Sequence, residues 1–474
     1  MKYNSLIPFF VVDRPMSLEL LKFCGIDKQK GKLGLMGHAN TTTNFQKLFK
    51  NFYGKKIIKM VDSGVFTREG CRISYEELFQ IYSNMDADYG IMIDFLKDKD
   101  KTIESAKNAL KVYDENDFCF ELVGVAQGDS IKEYLDCYQE LKSLGFDCVA
   151  IGGLLKKTFN SGRYAKVRDE KFLINVISAI RKVDPKGWLF TLGVYHPKRH
   201  IILENYGVYG ADYKGWIFNY KTPKNCIENT NRILENLESE LVENKKLDML
   251  LEKRRLLSKN KDCSNSIDLA EINSEILNLR KIIAKNLDNR EYKLKVKKLE
   301  KFMTMDRETK RIYRFNQIRS HLYNHVFSFF KDYFLIISCS EKKSSIPNPS
   351  PAINLYDGPF YKMIRKFESE NSLSNFHIMI ISARYGLLGL YDLISKYNQK
   401  MTPDSAKKLN KKITKEMVAF LEDKNYDEIL ISMGKTYCLT LENLEFNKPI
   451  KYAEGRIGEK LSTTKSWIEE KKLK

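Results

Sequence analysis

The 474-residue sequence lacks the features of several protein classes. It has no apolar run long enough to cross a bilayer, and its N-terminal segment has no long apolar stretch followed by a small-residue cleavage site. It also lacks the low apolar content of a disordered chain, because 43% of its residues are hydrophobic and 12% are aromatic. We therefore expect a folded protein outside the membrane and, from its length, two or three domains.

Cysteine pairs are absent too. The nine cysteines are scattered, and none forms a CxxC or CxC pair. Their odd number, wide spacing and apolar neighbours predict reduced thiols in a cytoplasm, that of a bacterium or of a phage-infected host. We expect no metal and no cofactor. His321 and His325 stand four apart on a predicted helix and can share a metal, but without a cysteine pair they are more typical of packing or surface histidines.

Acidic residues are too few to balance the basic ones. Lys and Arg number 80 and Asp and Glu 61, so the formal net charge is +19. Such a chain attracts polyanions, of which nucleic acid is the most common. A Lys-rich composition is also typical of AT-rich bacterial or phage genomes, so the charge alone leaves the partner open.

Eight short apolar runs alternate with amphipathic segments in the first half of the chain. The runs cover residues 7–13, 34–39, 57–66, 89–95, 120–128, 148–154, 188–195 and 208–218. Continuous apolar strands that alternate with helices indicate a parallel sheet. Eight such units predict an α/β fold, a (β/α)8 TIM barrel over residues 1–221, with an open doubly wound sheet as the alternative.

The rest of the chain shows two further sequence patterns. Residues 222–332 are charged, Leu-spaced and poor in Gly and Pro, which predicts a helical hairpin or short coiled coil with a break near residues 259–266. This segment can pair two chains into a homodimer or clamp DNA. Residues 333–474 return to alternating strands and helices and predict a small C-terminal α/β domain.

Polar residues and glycines follow the predicted barrel strands. In a parallel barrel such residues converge on one mouth, where function usually resides. They are Asp62, Asp94, Gln127, Gly152, Gly153, Gly193 and Asp212. Carboxylates can attack an anomeric carbon or move protons, and Gln and Asp can recognise a purine edge. Each residue taken singly is equally typical of ordinary turns.

Five short motifs follow these strands in order. They are Asp62-Ser63-Gly64-Val65-Phe66, Asp88 to Asp94, Gly124-Val125-Ala126-Gln127-Gly128, Ile151-Gly152-Gly153-Leu154 and Leu192-Gly193-Val194-Tyr195-His196-Pro197. Over roughly residues 1–220 this series resembles the tRNA-guanine transglycosylases and their DNA-modifying paralogues. The family motifs are DSGGF, D-x-x-x-x-x-D, G-x-VQG, IGGL and LGVG-P.

The resemblance implies a pentosyltransferase that exchanges guanine for a 7-deazaguanine base such as preQ0. Asp212 would be the nucleophile and Asp62 would handle the proton of the base. Asp94, Gln127 and Gly153 would recognise the purine, and Phe66 would stack on it. The remaining substrate-binding residues implied are Ser63, Gly152, Leu154, Leu192 and Gly193.

Two features depart from the family. Gly215 stands where the resemblance places the nucleophilic Asp, so we expect Asp212, three residues earlier, to replace it. Otherwise the protein binds bases without covalent catalysis. The family's CxCxxC zinc motif is also absent, and we expect the helical segment to replace the zinc subdomain.

The C-terminal domain has basic residues after its predicted strands. Lys342, Lys343, Arg384 and Lys435 suit phosphate or nucleic acid. The region resembles an α/β domain shared with the bacterial peroxide-stress protein that binds DNA, and its Cys339 and lysines faintly resemble the motif of archaeosine synthase. Cys339 is either a nucleophile near two lysines or, more commonly, a buried strand cysteine.

The sequence therefore predicts a DNA-guanine transglycosylase with DNA as its partner. DNA is favoured because the zinc subdomain and any recognisable archaeal-type RNA-binding module are absent, and because the fused domain resembles a DNA-associated family. A tRNA-guanine transglycosylase or its subunit is the second hypothesis, and a non-catalytic nucleic-acid-binding barrel is the third.

Overall fold

The computed structural model describes residues 6–52, 57–64, 73–157, 164–167, 170–217, 223–259, 265–442, 444–446 and 448–472. The chain forms two compact units. One contains residues 1–219 together with 318–474, and the other contains residues 220–317. Within the described part of the chain, no helix is long and apolar enough to cross a membrane.

Eight parallel strands close into a barrel in the first unit. In chain order the strands of this part are β1 (Ile7–Val11), β2 (Leu33–His38), β3 (Ile57–Asp62), β4 (Tyr89–Ile91), β5 (Glu121–Ala126), β6 (Cys148–Ile151), β7 (Leu155–Lys157), β8 (Tyr164–Val167), β9 (Trp188–Thr191) and β10 (Gly210–Tyr213). The ring order is β1-β10-β9-β6-β5-β4-β3-β2, and β7 and β8 form a separate antiparallel hairpin. The predicted TIM barrel is confirmed, because an open sheet would leave β1 and β10 unpaired.

Helices connect the barrel strands. They are α1 (Pro15–Phe23), α2 (Thr43–Lys50), α3 (Tyr75–Asn84), α4 (Lys99–Asp114), α5 (Ile131–Leu144), α6 (Glu170–Val183) and α7 (His200–Asn205). Four of them begin in the same way: the side chains of Thr42, Ser74, Asp98 and Ser130 accept a hydrogen bond from the backbone N–H three residues later. These caps satisfy orphan N–H groups and fix where each helix leaves its loop.

Aromatic side chains fill the barrel toward the amino ends of the strands. Phe9 meets Phe190 edge to face at 5.1 Å, and Trp188 stacks on Phe190 at 6.0 Å and lies 5.2 Å from Tyr89. Gly34 leaves the space that the Phe9 ring occupies, since a Cβ there would lie 2.2 Å from the ring. The polar interior is therefore confined to the carboxyl ends of the strands.

The strands end earlier than the apolar runs suggested. The runs predicted over residues 57–66, 89–95 and 208–218 stop pairing at Asp62, Ile91 and Tyr213. The described residues that follow in each run, 63–64, 92–95 and 214–217, lie in loops or a short 3-10 turn at the carboxyl ends. These loops contribute to the barrel mouth.

The second unit is helical. The helices of this region are α8 (Pro223–Leu241), α9 (Lys245–Lys259), α10 (Asn265–Asn286), α11 (Arg290–Met303) and α12 (Arg307–His325), and the boundary between the units falls within α12. Over its described residues this region thus has five helices, where the sequence suggested a helical hairpin or short coiled coil. Polar capping residues cause the extra breaks: Asn289 Oδ1 accepts from Tyr292 N at 2.9 Å, and Asp306 Oδ1 accepts from Thr309 N at 2.7 Å.

A buried ion pair lies inside the helical unit. The Arg280 side chain is fully buried, and its guanidinium donates to both carboxylate oxygens of Glu238 at 2.7 and 2.8 Å. It also donates to Asn231 Oδ1 at 2.6 Å, and the Tyr292 hydroxyl donates to Glu238 Oε1 at 2.8 Å. Every charge in this cluster therefore has partners of matching geometry.

The C-terminal part of the first unit is a second α/β layer structure. Its strands are β11 (Tyr333–Ser338), β12 (Ser350–Pro351), β13 (Phe376–Ser382), β14 (Gly386–Gly389), β15 (Leu393–Ile394), β16 (Glu428–Ser432) and β17 (Ile450–Tyr452), and its helices are α13 (Ala352–Leu355), α14 (Pro359–Ser369), α15 (Pro403–Leu421), α16 (Lys435–Cys438) and α17 (Ile457–Lys471). The main sheet has the order β14-β13-β11-β16-β17, with only β14 antiparallel to its neighbour. The predicted α/β fold of this C-terminal region is confirmed.

Residues just before β11 pack against the barrel. The Tyr213 hydroxyl lies 2.9 Å from His321 Nε2, and the His200 ring stacks on Phe329 at 3.9 Å. Lys331 Nζ donates to Gln29 Oε1 at 2.9 Å. Residues 318–332, which the sequence placed with the helical segment, therefore belong to the unit that contains the barrel.

Candidate active site at the barrel mouth

The carboxyl ends of the barrel strands gather polar side chains. His38 ends β2, Asp62 ends β3, and Asp212 is the third residue of β10. Asp94 and Gln127 lie in the loops just after β4 and β5, and both are buried. The structure thus brings together the acids and the amide that the sequence placed at successive strand ends.

His38 belongs to the site although the sequence analysis did not select it. It is paired with Asp62 in the β2–β3 register, and its Nδ1 lies 3.1 Å from Asp62 Oδ2. Its Nε2 is buried and has no hydrogen-bond partner among the described residues. The position of His38 at the end of an apolar run was the signal available in the sequence.

Asp94 and Gln127 form a fixed pair. Gln127 Nε2 donates to Asp94 Oδ2, and the amide oxygen of Gln127 accepts from Lys97 N at 3.3 Å. Burial and, to a smaller extent, the negative Asp62 raise the pKa of Asp94 to about 7, although the hydrogen bond from Gln127 acts in the opposite direction. Asp94 can therefore change its protonation state near neutral pH.

Asp212 is a second buried acid. Burial, opposed by the hydrogen bond from the Gly193 N–H and assisted by the charge of Asp62, raises its pKa to about 6. Asp62 acts on both Asp94 and Asp212, so the three carboxylates form one electrostatic cluster. Above a pH of about 6, Asp212 is ionised and can serve as a nucleophile.

Two glycines shape the wall beside this cluster. A Cβ on Gly152 would lie 2.4 Å from Gln127 Nε2, and a Cβ on Gly153 would lie 2.4 Å from Gln127 Oε1. Gly153 also has a φ of +70°, which side chains rarely adopt. The Tyr134 hydroxyl donates to Gly152 O at 2.8 Å and holds this turn. Glycine is therefore required here for Gln127 to occupy its position.

The other predicted binding residues are distributed around the mouth. Ser63 and Leu154 are buried, and Ser63 Oγ has no partner within the described ranges. Leu192 is half-buried, with its N–H bonded to Ile151 O at 2.9 Å. Phe66, the predicted stacking residue, lies outside the described residues.

Gly215 lies outside the barrel strands. Gly215 begins a short 3-10 turn, Gly215–Ile217, after β10 has ended. Trp216 in this turn donates from Nε1 to Val11 O at 3.0 Å and meets the Phe10 ring edge to face. This turn contributes no carboxylate, whereas Asp212 lies in the strand beside Gly193.

The four basic residues of the second α/β part follow the carboxyl ends of β11, β13 and β16. Arg384 and Lys435 are exposed, Lys342 pairs with Asp357 at 3.5 Å, and Lys343 Nζ lies 4.2 Å from the Tyr397 ring centroid. They share one edge of the sheet because parallel strands end on the same side. Cys339 is half-buried, and its Sγ lies 3.1 Å from the Tyr437 hydroxyl.

Comparisons with known proteins cover the two α/β parts separately. A family of unknown function, DUF6884, matches residues 334–469. No protein of curated function matches the sequence significantly.

Among the solved structures similar to this chain are three enzymes of low sequence identity. The YdjI aldolase of Escherichia coli K12 is 12% identical, covers 48% of this chain and 82% of its own, and has a TM-score of 0.34. A tryptophan synthase complex from Pyrococcus furiosus is 14% identical, with 45% and 88% covered and a TM-score of 0.31. A thiamine phosphate pyrophosphorylase from the same organism is 12% identical, with 46% and 90% covered and a TM-score of 0.29. These values add nothing to the topology already described.

Proposed function

We propose that this protein is a transglycosylase that exchanges guanine in DNA for a 7-deazaguanine base through a covalent intermediate on Asp212. The observation that carries the proposal is the cluster of Asp62, Asp94 and Asp212 at the barrel mouth, with Gln127 fixed beside it. Buried acids with different environments are suited to separate roles in one reaction. The motif resemblance supports the choice of reaction.

The nucleophile is Asp212. Its Oδ1 accepts the Gly193 N–H, so the other oxygen attacks C1′ of the sugar. The C1′–N9 bond breaks, and guanine leaves with the electron pair and takes up a proton. In the second half, the incoming base loses its N9 proton, N9 attacks C1′, and the bond to Asp212 breaks. The Asp62 side chain provides the proton for the departing guanine and accepts the proton of the incoming base.

Base recognition falls to Asp94, Gln127 and the Gly153 turn. The edge of guanine carries adjacent N–H groups, which can donate hydrogen bonds to a carboxylate. It also carries a carbonyl oxygen, which can accept a hydrogen bond from an amide or backbone N–H group. A 7-deazaguanine base presents the same edge. Phe66 is the proposed stacking residue.

The proposed substrate is nucleic acid whose target base has left the helical stack, because the barrel mouth cannot reach a stacked base. The net charge of +19 favours a polyanion. Arg384 and Lys435, both exposed at the sheet edge, are proposed phosphate contacts together with Lys342 and Lys343. We favour DNA over tRNA for the reasons given by the sequence.

The test is release of labelled guanine from duplex DNA and, separately, from unmodified tRNA, each with 7-deazaguanine bases supplied. Release from DNA alone is the expected result. Release from tRNA alone would make the protein a tRNA enzyme or its subunit. Tight binding without release from either substrate would indicate a non-catalytic barrel, the function that Gly215 favours.

A further inference from the structure

We propose that His38 Nε2, rather than Asp62 itself, carries the proton exchanged with the base, and that Asp62 holds the His38 ring. This inference rests on the proposed function, because it names the atom that performs one of its steps. It makes His38 a catalytic residue and Asp62 its positioning residue.

The ring is held by one nitrogen. His38 Nδ1 lies 3.1 Å from Asp62 Oδ2. An ionised carboxylate accepts hydrogen bonds and cannot donate them, so Nδ1 carries the hydrogen in this contact. The neutral ring then has its lone pair at Nε2, which is the tautomer of a general base oriented by an acid.

The other nitrogen is free within the described residues. His38 Nε2 is buried there and has no hydrogen-bond partner. A buried polar atom without a partner destabilises the fold, and such atoms are uncommon unless a ligand satisfies them. His38 belongs to the inward-facing set of β2, because Gly34 on the same face borders the Phe9 ring in the barrel interior. An N–H group or ring nitrogen of a base bound in the mouth would provide the hydrogen-bond partner that Nε2 lacks.

The charges around His38 favour proton transfer. Asp62 on β3, Asp212 on β10 and Asp13 after β1 face the ring, and a charged His38 lowers the pKa of both Asp13 and Asp212. A protonated His38 therefore favours the ionised, nucleophilic form of Asp212 before reaction.

The proton balance closes within the site. As the bond from Asp212 to C1′ forms and the C1′–N9 bond breaks, the His38 imidazolium gives its Nε2 proton to the departing guanine. Neutral Nε2 then removes the N9 proton of the incoming base as N9 bonds to C1′ and Asp212 leaves. One proton goes out and one returns, so no further reactant is needed.

The test compares His38→Asn, His38→Gln and His38→Ala. Asparagine places an amide near Nδ1 and can keep the bond to Asp62, whereas glutamine extends toward Nε2, and neither transfers a proton. We expect both to lower kcat about 10²–10⁴-fold, the usual worth of a general acid–base group, with DNA affinity retained. Imidazole should partly restore kcat in His38→Ala. Retention of kcat by His38→Asn would overturn the inference.

A second measurement separates this inference from the proposed function. Wild-type base exchange tests the function alone. Independently, ¹⁵N spectra of the His38 ring should show hydrogen on Nδ1, its loss from that nitrogen in Asp62→Asn, and a shift of Nε2 when guanine or a 7-deazaguanine base is added. A neutral ring with its hydrogen on Nε2 and none on Nδ1, or an Nε2 signal indifferent to both bases, would overturn the role of His38 whether or not the wild type exchanges bases.

Discussion

Buried acids occur in both units of this protein, but the groups that surround them differ in charge. In the helical unit, Glu238 receives two hydrogen bonds from the buried Arg280 and one from Tyr292. At the barrel mouth, Asp94 and Asp212 are equally buried, but among the groups that act on them is a third carboxylate, Asp62. The helical unit neutralises its buried charge, while the barrel mouth concentrates charge of one sign.

The difference indicates what each cluster is for. A buried ion pair with complete hydrogen bonding holds helices in one register and leaves no group free for a ligand. Acids buried beside another acid destabilise the fold and have a pKa close to neutral, which is how many catalytic sites are built. The same residue type therefore serves structure in one unit and chemistry in the other.

The largest expected effect is on base exchange. Asp212→Asn keeps the shape of the side chain and removes the nucleophile, so we expect the rate of guanine exchange to fall by at least about 10⁴-fold. Asp184→Asn is the matched control, because Asp184 lies at the opposite end of the barrel and bonds to the Tyr138 hydroxyl at 2.6 Å. Equal losses in both variants would point to misfolding and against the nucleophile.

The second effect concerns stability of the helical unit. Arg280→Met leaves Glu238 buried without its cation, which should lower the free energy of unfolding by about 3–5 kcal/mol. Urea unfolding followed by circular dichroism measures this loss. Glu252→Gln is the control: its ion pair with Arg255 is exposed, so its removal should cost less than about 1 kcal/mol. A similar small loss in Arg280→Met would remove the contrast between the two clusters.

The third effect is a pH dependence of the barrel. Because the pKa of Asp94 rises from 3.8 to about 7 on folding, its folded form retains a proton that the unfolded chain has released. Its contribution is therefore fully present below pH 3.8 and is lost as the pH rises through about 7, a change on the order of 4 kcal/mol. Asp94→Asn should thus gain stability over the wild type between pH 4 and 7, measured by urea unfolding at several pH values. A difference that stays constant with pH would contradict the raised pKa of Asp94.

The smallest expected effect is on base exchange after replacement of Gly153 by alanine, compared with the same replacement at Gly145. The comparison separates the cost of backbone strain from the effect of displacing Gln127. Gly153 and Gly145 both have positive φ, but a Cβ on Gly145 would meet no atom within 4 Å. Alanine at either position should cost on the order of 1–2 kcal/mol from the backbone conformation. Only Gly153→Ala should also lower base exchange, because it pushes against the Gln127 amide. Equal exchange rates in the two variants would show that Gln127 has no role in recognition.

Much of the fold could be predicted from the sequence, because its signals are local. Alternating apolar runs and amphipathic helices gave all eight barrel strands and the three parallel strands β11, β13 and β16. Among the strands that were not predicted from the sequence are β14 and β17 of the main sheet. The first is a four-residue strand with a glycine at each end, and the second is a three-residue edge strand with an exposed lysine. Short edge strands contain too few apolar residues to produce a clear pattern in the sequence, and they form only where a neighbouring strand is available to pair with.

The sequence by itself determined which acids, amide and glycines follow the barrel strands, because the spacing of apolar residues along the chain indicates where each strand ends. Only the tertiary structure decided that His38 meets Asp62, that Gly152 and Gly153 border Gln127, and that Asp62 acts on both Asp94 and Asp212. Barrel closure joins side chains that are far apart along the chain. Burial then shifts their pKa values, and both effects depend on distances in space that residue spacing does not contain.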